Sequence, residues 1–324
     1  MSNVVLRFDM RNPPQRGDSA AEAYRAVLEM TAWADGRGVD VIGLSEHHNT
    51  EDGFLPSPLT LASAIAARTE KVLISIGALL VPLYDPVRLA EDIAVLDNLA
   101  PGRLTLIAGI GYREAEYRAL GIDWSRRGKI LEDNIRVMQR AWSGEVFEHR
   151  GVEVQVLPRP ATRPHPLLAI GGNSAIAARR AARLSLPFFP ALDDPQLAET
   201  YQAACAEAGF EEGFAILPDY PSTTYLARDV EQGWAEMGEY MLYDAIAYGS
   251  WRHPTRRAYA ESFAANLTEL RDEGKYRVLT PEQAVAVLQA GESLHLAPLV
   301  GGAPPGLGWQ SLRLFGEEVA PALA

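Results

Sequence analysis

Residues 44–84, LSEHHNTEDGFLPSPLTLASAIAARTEKVLISIGALLVPLY, decide the fold. An apolar strand expected over 39–46 runs into Ser45-Glu46-His47-His48, and a polar loop follows. Pro56-Ser57-Pro58 opens a helix expected over 58–68, and a second strand, expected over 72–81, carries Gly77-Ala78 at its end. Its near-continuous apolar run suits a parallel strand buried on both faces. Two strands thus deliver polar or small residues at their C-terminal ends, the face of a (β/α) barrel where chemistry sits.

Outward from this stretch the same alternation continues. A strand is expected over 4–10, and Ser19-x-x-Glu22 is a capping box opening a helix to about residue 37. Asp85-Pro86 starts a helix that Pro101-Gly102 ends. A strand over 104–111 and a helix over 124–143 come next. Residues 146–157 alternate with period two in their second half and predict an inserted hairpin. Pro158, Pro160, Pro164 and Pro166 make a stiff connector. Strand–helix pairs follow at 167–172 with 174–184, and at 186–192 with 195–209. A seventh strand is placed within 214–226, where Pro218 and Pro221 interrupt the pattern. Helices are expected over 230–243 and 254–273, then a capped helix from Thr280-Pro281-Glu282-Gln283, a strand over 293–300 and a closing helix over 308–320. Eight such pairs without a linker predict one α/β domain over 1–324, a (β/α)8 TIM barrel with a hairpin inserted before strand 5 and a helical insertion before strand 8. A doubly wound open sheet is the competing arrangement.

Composition narrows the function. The chain has 324 residues, 48% hydrophobic and 22% charged, enough for a sizeable core. A formal charge of −12 argues against nucleic acid, which needs clustered Lys and Arg. A single cysteine, Cys205, allows no internal disulfide and reads as packing, which suits a reducing cytoplasm. The N-terminal residues show no signal-peptide pattern, and no apolar run reaches membrane-spanning length, so a cytoplasmic protein is expected.

Candidate site residues lie at the strand ends. Neighbouring side chains on a strand point to opposite faces, so one of His47 and His48 faces the barrel mouth. It is either a structural hydrogen-bonding group or a proton carrier. A shared metal is disfavoured, because adjacent histidines cannot both ligate one ion and the six histidines show no ligand spacing. Gly77-Ala78 lets a planar ring approach the backbone, or relieves crowding. Gly109-Ile-Gly111-Tyr112-Arg113-Glu114 lacks the third glycine of a dinucleotide fingerprint. Gly171-Gly172-Asn173-Ser174 joins a strand to a helix. Its backbone N–H groups could hold an anion, while Ser174 could simply cap the helix. Arg103, Arg113 and Arg127 are expected in ion pairs with Glu91, Asp92 or Asp97. Arg179, Arg180 and Arg183 lie on the helix after Ser174. Phe54, Tyr84, Tyr220 and Trp309 line a pocket or pack its rim.

Taken in order, Glu46-His47-His48, Ala90-Glu91-Asp92, Leu96-Asp97-Asn98, Gly102-Arg103, Gly109 to Glu114, Gly121-Ile-Asp123, Arg127-Gly128, Ile170 to Ser174, Pro281-Glu282 and the last helix resemble bacterial luciferase and its flavin-dependent relatives. The resemblance implies an FMNH2- and O2-dependent monooxygenase acting on a small organic substrate, with FMN supplied reduced by a separate NAD(P)H:flavin reductase. It makes His47 the catalytic residue facing the flavin. It places Glu46, Gly77, Ala78, Gly109, Tyr112, Gly171, Gly172, Asn173 and Ser174 around the cofactor, with the phosphate at the 171–174 turn and a non-proline cis peptide at Gly77-Ala78. It also implies a homodimer, paired through helices flanking strands 2 and 3, where 59–67 is rich in Ala. The alternatives are an F420-dependent hydride transferase of the same fold, a non-catalytic flavoprotein, and, from another class, a metal-dependent barrel hydrolase. Gly109 replaces the reactive luciferase cysteine. Tyr112 replaces the acidic residue of F420-dependent sugar-phosphate dehydrogenases, which argues against that activity.

Overall fold

The computed structural model describes residues 3–13, 20–218, 223–251 and 262–323. Ser19, Tyr220, Pro221 and positions 254–261 of the expected insertion helix lie outside them. In chain order the elements are β1 (Val4–Phe8), α1 (Ala20–Ala34), β2 (Val41–Leu44), α2 (Pro58–Ala66), β3 (Leu73–Leu79), α3 (Pro86–Leu99), β4 (Leu104–Ala108), α4 (Glu114–Ala119), α5 (Arg127–Ser143), β5 (Phe147–His149), β6 (Val152–Val154), β7 (Leu167–Gly171), α6 (Ala175–Arg183), β8 (Phe188–Phe189), α7 (Pro195–Ala208), β9 (Thr223–Leu226), α8 (Val230–Ser250), α9 (Leu267–Glu273), β10 (Tyr276–Leu279), α10 (Pro281–Gln289), β11 (Leu294–Leu296) and α11 (Pro305–Leu314). Local chemistry sets the helix ends. The Asp85 carboxylate accepts from the N–H groups of Val87 and Arg88 at the start of α3, with Pro86 at its first position. Asp194, Asp229 and Asn266 cap α7, α8 and α9 in the same way. Thr280 and Gln283 form a reciprocal capping box on α10.

Two compact units build the chain. The first comprises Met1–Pro56, Arg68–Leu73 and Asp219–Ala324. Its described strands are parallel and run in the order β10-β9-β11-β1-β2. Leu6 stands opposite Ile42 on one side and Leu296 on the other, and all three are buried. Behind β9 and β10, Trp234, Met237, Met241 and Leu270 pack with Tyr225, Tyr276 and Val278. The second unit comprises Ser57–Ala67 and Ile74–Pro218. Its strands are parallel in the order β3-β4-β7-β8, and β5 and β6 form a separate antiparallel hairpin before β7, as expected. The buried Trp142 indole of α5 donates to the Ala90 carbonyl of α3 at 3.0 Å. Asp97 is fully buried and accepts from both the N–H and the hydroxyl of Thr162, at 2.7 Å each, which ties down the proline-rich connector.

The structure departs from the expected segmentation in several places, α4 among them, which has no expected counterpart. The strand sought within 214–226 is β9, which starts only at Thr223, while Ala215 makes a single bridge to Phe188. β10 has no counterpart in the expected order: Arg277 interrupts a four-residue apolar run that leads straight into the Thr280 cap. The helix expected to stop at residue 243 continues to Ser250, because Asp244 is buried in its middle with charged and phenolic partners rather than ending it. The expected 254–273 helix is helical in its described part only from Leu267, since the Glu273 carboxylate accepts from the Ser262 hydroxyl and the Phe263 N–H and folds 262–265 back. β3 is not buried on both faces: Ile74, Ile76 and Leu79 are inside, whereas Leu73 and Gly77 are exposed. Among the described residues no helix is long and apolar enough to cross a membrane.

Candidate functional site

The second unit gathers most of the predicted residues at the C-terminal ends of β3, β4 and β7. In-register pairing puts Gly77 beside Ile107 of β4, and Ile107 beside Ala169 of β7. The Ile107 side chain fills the space on both sides. A Cβ on Gly77 or on Gly171 would each come within 3.0 Å of it. The register of β3 shifts between Gly77 and Leu79, and the Gly77–Ala78 peptide is cis, as the resemblance implies. Gly109 follows β4, and a Cβ there would sit 2.7 Å from the Ala78 methyl. The position that carries a cysteine in luciferase has no room for a side chain beside Ala78 in this chain. Gly77, Ala78, Gly109, Gly171 and Gly172 themselves carry nothing larger than a methyl and together make a cradle, with the Ile107 side chain between Gly77 and Gly171 and with Gly77 exposed.

The turn after β7 leads into α6. Gly172 has φ +134°, a region that side-chain-bearing residues rarely adopt, and a Cβ there would meet the Ala177 methyl at 2.8 Å. Ser174 is the N-cap of α6, its hydroxyl oxygen accepting from the Ala177 N–H at 3.3 Å. The cap uses only an acceptor lone pair, so the hydroxyl hydrogen stays available to a ligand. Gly172 and Asn173 are half-buried and Ser174 is exposed, at the positive end of the helix dipole. Deeper in α6, Arg180 is buried and its Nε donates to Glu132 at 3.1 Å. Arg183 reaches the same carboxylate at 2.7 Å. Both arginines lock α6 to α5, and Arg179 lies on the surface.

Glu46 and His47 belong to the first unit. Glu46 is 2% exposed, and its carboxylate is held by the His48 Nε2 at 2.8 Å. His47 is 6% exposed and lies among three aromatic rings. Its ring centroid is 4.9 Å from Phe54, 4.7 Å from Trp251 and 6.4 Å from Tyr248. The His47 backbone N–H donates to the Leu55 carbonyl, and the Leu55 N–H to the Asp9 carbonyl, which joins this loop to the end of β1.

A second, buried constellation sits on the same rings. The Arg11 guanidinium, just past β1, bonds Asp52 and pairs with Asp244 at 2.9 Å and Asp9 at 3.8 Å. Burial opposes the Arg11 charge, but Asp244, Tyr248, Asp9 and Asp52 outweigh it and hold its pKa above the usual value. Asp9 is pushed up to about 7, by burial first and by Asp244 second, against the pull of Arg11 and Arg7. Asp52 is held below the usual carboxylate range, because Arg11 overcomes its burial. Tyr276 donates to Asp244 at 2.6 Å, and Tyr243 to Asp52 at 3.3 Å. Sequence reasoning misses Asp9, Arg11, Asp244, Tyr248 and Trp251. Polar residues at the end of an apolar strand, the signal that singles out Glu46 and His47, are also present in Phe8-Asp9-Met10-Arg11.

The remaining candidates divide. Phe54 is buried against His47, whereas Trp309 packs edge-on against Trp33 at 5.9 Å. Arg113 pairs with the buried Glu116 at 3.1 Å, and Arg127 stacks on Trp124 at 3.7 Å and donates to its carbonyl. Arg103 donates to the Ala66 carbonyl. The expected acidic partners are engaged elsewhere: Glu91 and Asp92 pair with Arg88 one turn away on α3, and Asp97 is taken by Thr162.

The luciferase-like monooxygenase family model matches residues 5–295. The oxygenase component of flavin-dependent trigonelline monooxygenase from Acinetobacter baylyi is 28% identical over 160 residues, 49% of this chain and 44% of that protein. The chain spans about half the length of the curated relatives it matches, 50% for the first two. Monooxygenase RslO1 from Streptomyces bottropensis superposes with a TM-score of 0.76 at 23% identity, covering 100% of both chains. The oxygenating constituent of 3,6-diketocamphane monooxygenase from Pseudomonas putida, in complex with FMN, gives 0.70 at 20% identity, covering 99% of this chain and 98% of that one. These likenesses show the fold, the luciferase-like TIM barrel expected from the strand–helix alternation.

Proposed function

Since the chain belongs to the luciferase-like monooxygenase family, we propose that it is the oxygenating component of a flavin-dependent monooxygenase that uses reduced FMN and O2 on a small organic substrate. The observation that carries this reading is the bare cradle at the ends of β3, β4 and β7, followed by a glycine turn into the N-terminus of α6. Gly77, Ala78 and Gly109, which carry at most a methyl, leave room for a planar ring to approach the backbone. The N–H groups of Gly172 and Asn173 and the Ser174 hydroxyl suit a phosphate, and Tyr112, half-buried after β4, suits the ribityl chain or phosphate. Bound FMN supplies the redox chemistry and the reaction with O2; this chain's residues bind, orient and exclude water.

His47 is the catalytic residue in this reading, an imidazole among aromatic rings able to hold or move one proton. Glu46 carries less of it, because its carboxylate is buried and bonded to His48. A separate reductase supplies the reduced flavin, in keeping with the relative named as an oxygenase component. Two copies pair through α2 and α3. Leu61, Ala62, Ile65 and Ala66 of α2 turn inward, while Val95 and Leu99 of α3, one turn apart, are 49% and 50% exposed. Light scattering at micromolar concentration is expected to give twice the 35.4 kDa chain mass, and a lone 35.4 kDa species removes the dimer.

Fluorescence titration with FMN, riboflavin and F420 tests the cofactor. FMN is expected to bind at least about 100-fold more tightly than riboflavin, since two or more charge-assisted hydrogen bonds at about 1.5–3 kcal/mol each are lost with the phosphate. Equal affinities place the phosphate elsewhere, and tight binding of F420 alone replaces FMN by the deazaflavin.

A further inference from the structure

We propose that Arg11 is a positioning residue for His47: the two share one set of aromatic walls, and the guanidinium fixes how those walls hold the imidazole. The idea rests on the reading of His47 as the catalytic residue, but the geometry stands without it.

Phe54, Tyr248 and Trp251 come from two places, Phe54 from the loop after β2 and the other two from the C-terminal end of α8 and the residue beyond it. Arg11 Cζ lies 4.8, 4.7 and 4.7 Å from their respective centroids. The same rings surround His47 at 4.9, 6.4 and 4.7 Å. They also approach one another, at 5.5–6.1 Å between centroids. A cation only 1% exposed is unusual, and neither its Nε nor its Nη2 has a hydrogen-bond partner among the described residues. The guanidinium carbon is instead within cation–π reach of all three rings.

The rest of the guanidinium is held by one hydrogen bond and two ion pairs. Nη1 bonds Asp52, on the same loop as Phe54. Nε faces Asp244 at 2.9 Å, on the same helix as Tyr248, and Asp9 lies beside it at the end of β1. Each carboxylate ties Arg11 to an element that also carries a wall of the His47 pocket or its backbone support. Asp52 is itself fixed by the Tyr243 hydroxyl, and Asp244 by Tyr276. One planar cation thus joins β1, the β2 loop and α8 around one imidazole. Lysine at position 11 keeps the charge that the three carboxylates require, but it is a point charge with no plane to lie against rings.

The experiment uses the full-length protein without added flavin. Imidazole proton–carbon correlation spectra are recorded for the wild type, Arg11→Lys and His47→Gln, the last identifying the His47 signal by its loss. In the wild type the signal is displaced by the three rings from the position of an exposed histidine. In Arg11→Lys it is expected to move toward that position while circular dichroism stays unchanged. FMN affinity is expected to stay unchanged, and turnover to fall by about 10- to 100-fold, the range for a displaced catalytic group. A His47 signal that does not move in folded Arg11→Lys overturns the proposal, and so does a loss of FMN affinity, which makes Arg11 a binding group. If Arg11→Lys does not fold, Asp52→Asn loosens the same anchor and leaves Arg11 and all three rings in place. A moved His47 signal there supports the proposal, and an unmoved one overturns it. Should His47→Gln retain full turnover while the signal moves in Arg11→Lys, positioning stands and the catalytic reading of His47 falls.

Discussion

The His47 pocket and the glycine cradle solve opposite problems. The first is crowded: three rings surround an imidazole, the same rings pack on one cation held by three carboxylates, and the interactions run between side chains. The second is bare: five residues at three strand ends carry at most a methyl, and what they offer is backbone. A crowded pocket sets the chemistry of one group through its neighbours' charges and faces. A bare cradle sets the distance at which something flat can approach. Substitutions should therefore act differently in the two regions. In the pocket they change rate and pH response; in the cradle they change folding and cofactor affinity.

The largest separation is expected from His47→Ala. In the proposed reading it removes the proton-carrying group and leaves the cradle intact. Turnover should fall by about 100- to 10,000-fold, the usual contribution of a general acid or base. FMN affinity, read by fluorescence titration, should stay the same. Wild-type turnover takes His47 out of the mechanism, and a lost FMN affinity means the imidazole is part of the binding surface.

Asp9→Asn probes the pocket through pH. Asp9 is pushed up to about 7 from an ordinary 3.8 by burial and Asp244. Arg7 and Arg11 pull the other way, and the Asp52 carboxylate and the neutral phenols of Tyr243, Tyr248 and Tyr276, whose pKa values burial raises, complete the surroundings. Between those two pH values the folded chain keeps a proton that the unfolded chain has lost, so stability falls as pH rises through the window. Above about pH 7 the wild type carries the full cost of a buried charge, on the order of a few kcal/mol. The asparagine keeps an oxygen for the Arg11 N–H and has no charge to bury. The variant should melt higher than the wild type at pH 8, and the gap should close by pH 4. A gap independent of pH would falsify the raised Asp9 titration.

Gly172→Ala probes the cradle. It forces a side chain into φ +134° and against Ala177 at 2.8 Å. The cost is expected at about 1–3 kcal/mol in urea unfolding, with weakened FMN binding in the folded fraction. Unchanged stability means the turn relaxes freely and is not a fixed seat.

The cradle is far more legible in the sequence than the pocket. Glycines and a Ser N-cap at strand–helix junctions are local signals, so Gly77, Gly109 and Gly171 to Ser174 can be read from spacing and from the family resemblance. The alternating strands and helices are readable for the same reason, since period and caps are local. The pocket is built from residues far apart in the chain. Asp52 and Tyr243 are separated by 191 positions, and Arg11 and Trp251 lie farther apart still. Such separations leave no trace in local spacing, which is why Arg11, Tyr248 and Trp251 escape a reading of the sequence. Asp244, just past the expected end of its helix at 243, likewise gives no local sign that it is buried with Arg11 and Tyr276.

The smallest expected effects come from Ser174, where two substitutions separate the helix cap from the anion seat. The Ser174 oxygen accepts from the Ala177 N–H at 3.3 Å, a long bond, so Ser174→Ala should cost only about 0.5–1 kcal/mol of stability. It leaves the Gly172 and Asn173 N–H groups in place, and FMN should bind a few-fold more weakly for want of one hydroxyl. Ser174→Asp acts in the opposite sense on the fold. Aspartate caps as well as serine and complements the positive end of the α6 dipole, so stability should hold or rise. The same carboxylate repels a phosphate. At about 4 Å in water that repulsion is about 1 kcal/mol per pair of unit charges, and a dianion doubles it, so FMN affinity should fall by more than about tenfold. Riboflavin, which has no phosphate, should be indifferent to the aspartate. The pattern to look for in paired melting and fluorescence titrations is a stable Asp variant that binds FMN poorly beside a slightly weakened Ala variant that binds it nearly as well as the wild type. If the Asp variant keeps full FMN affinity, Ser174 is a helix cap alone and the cradle ends at Gly171.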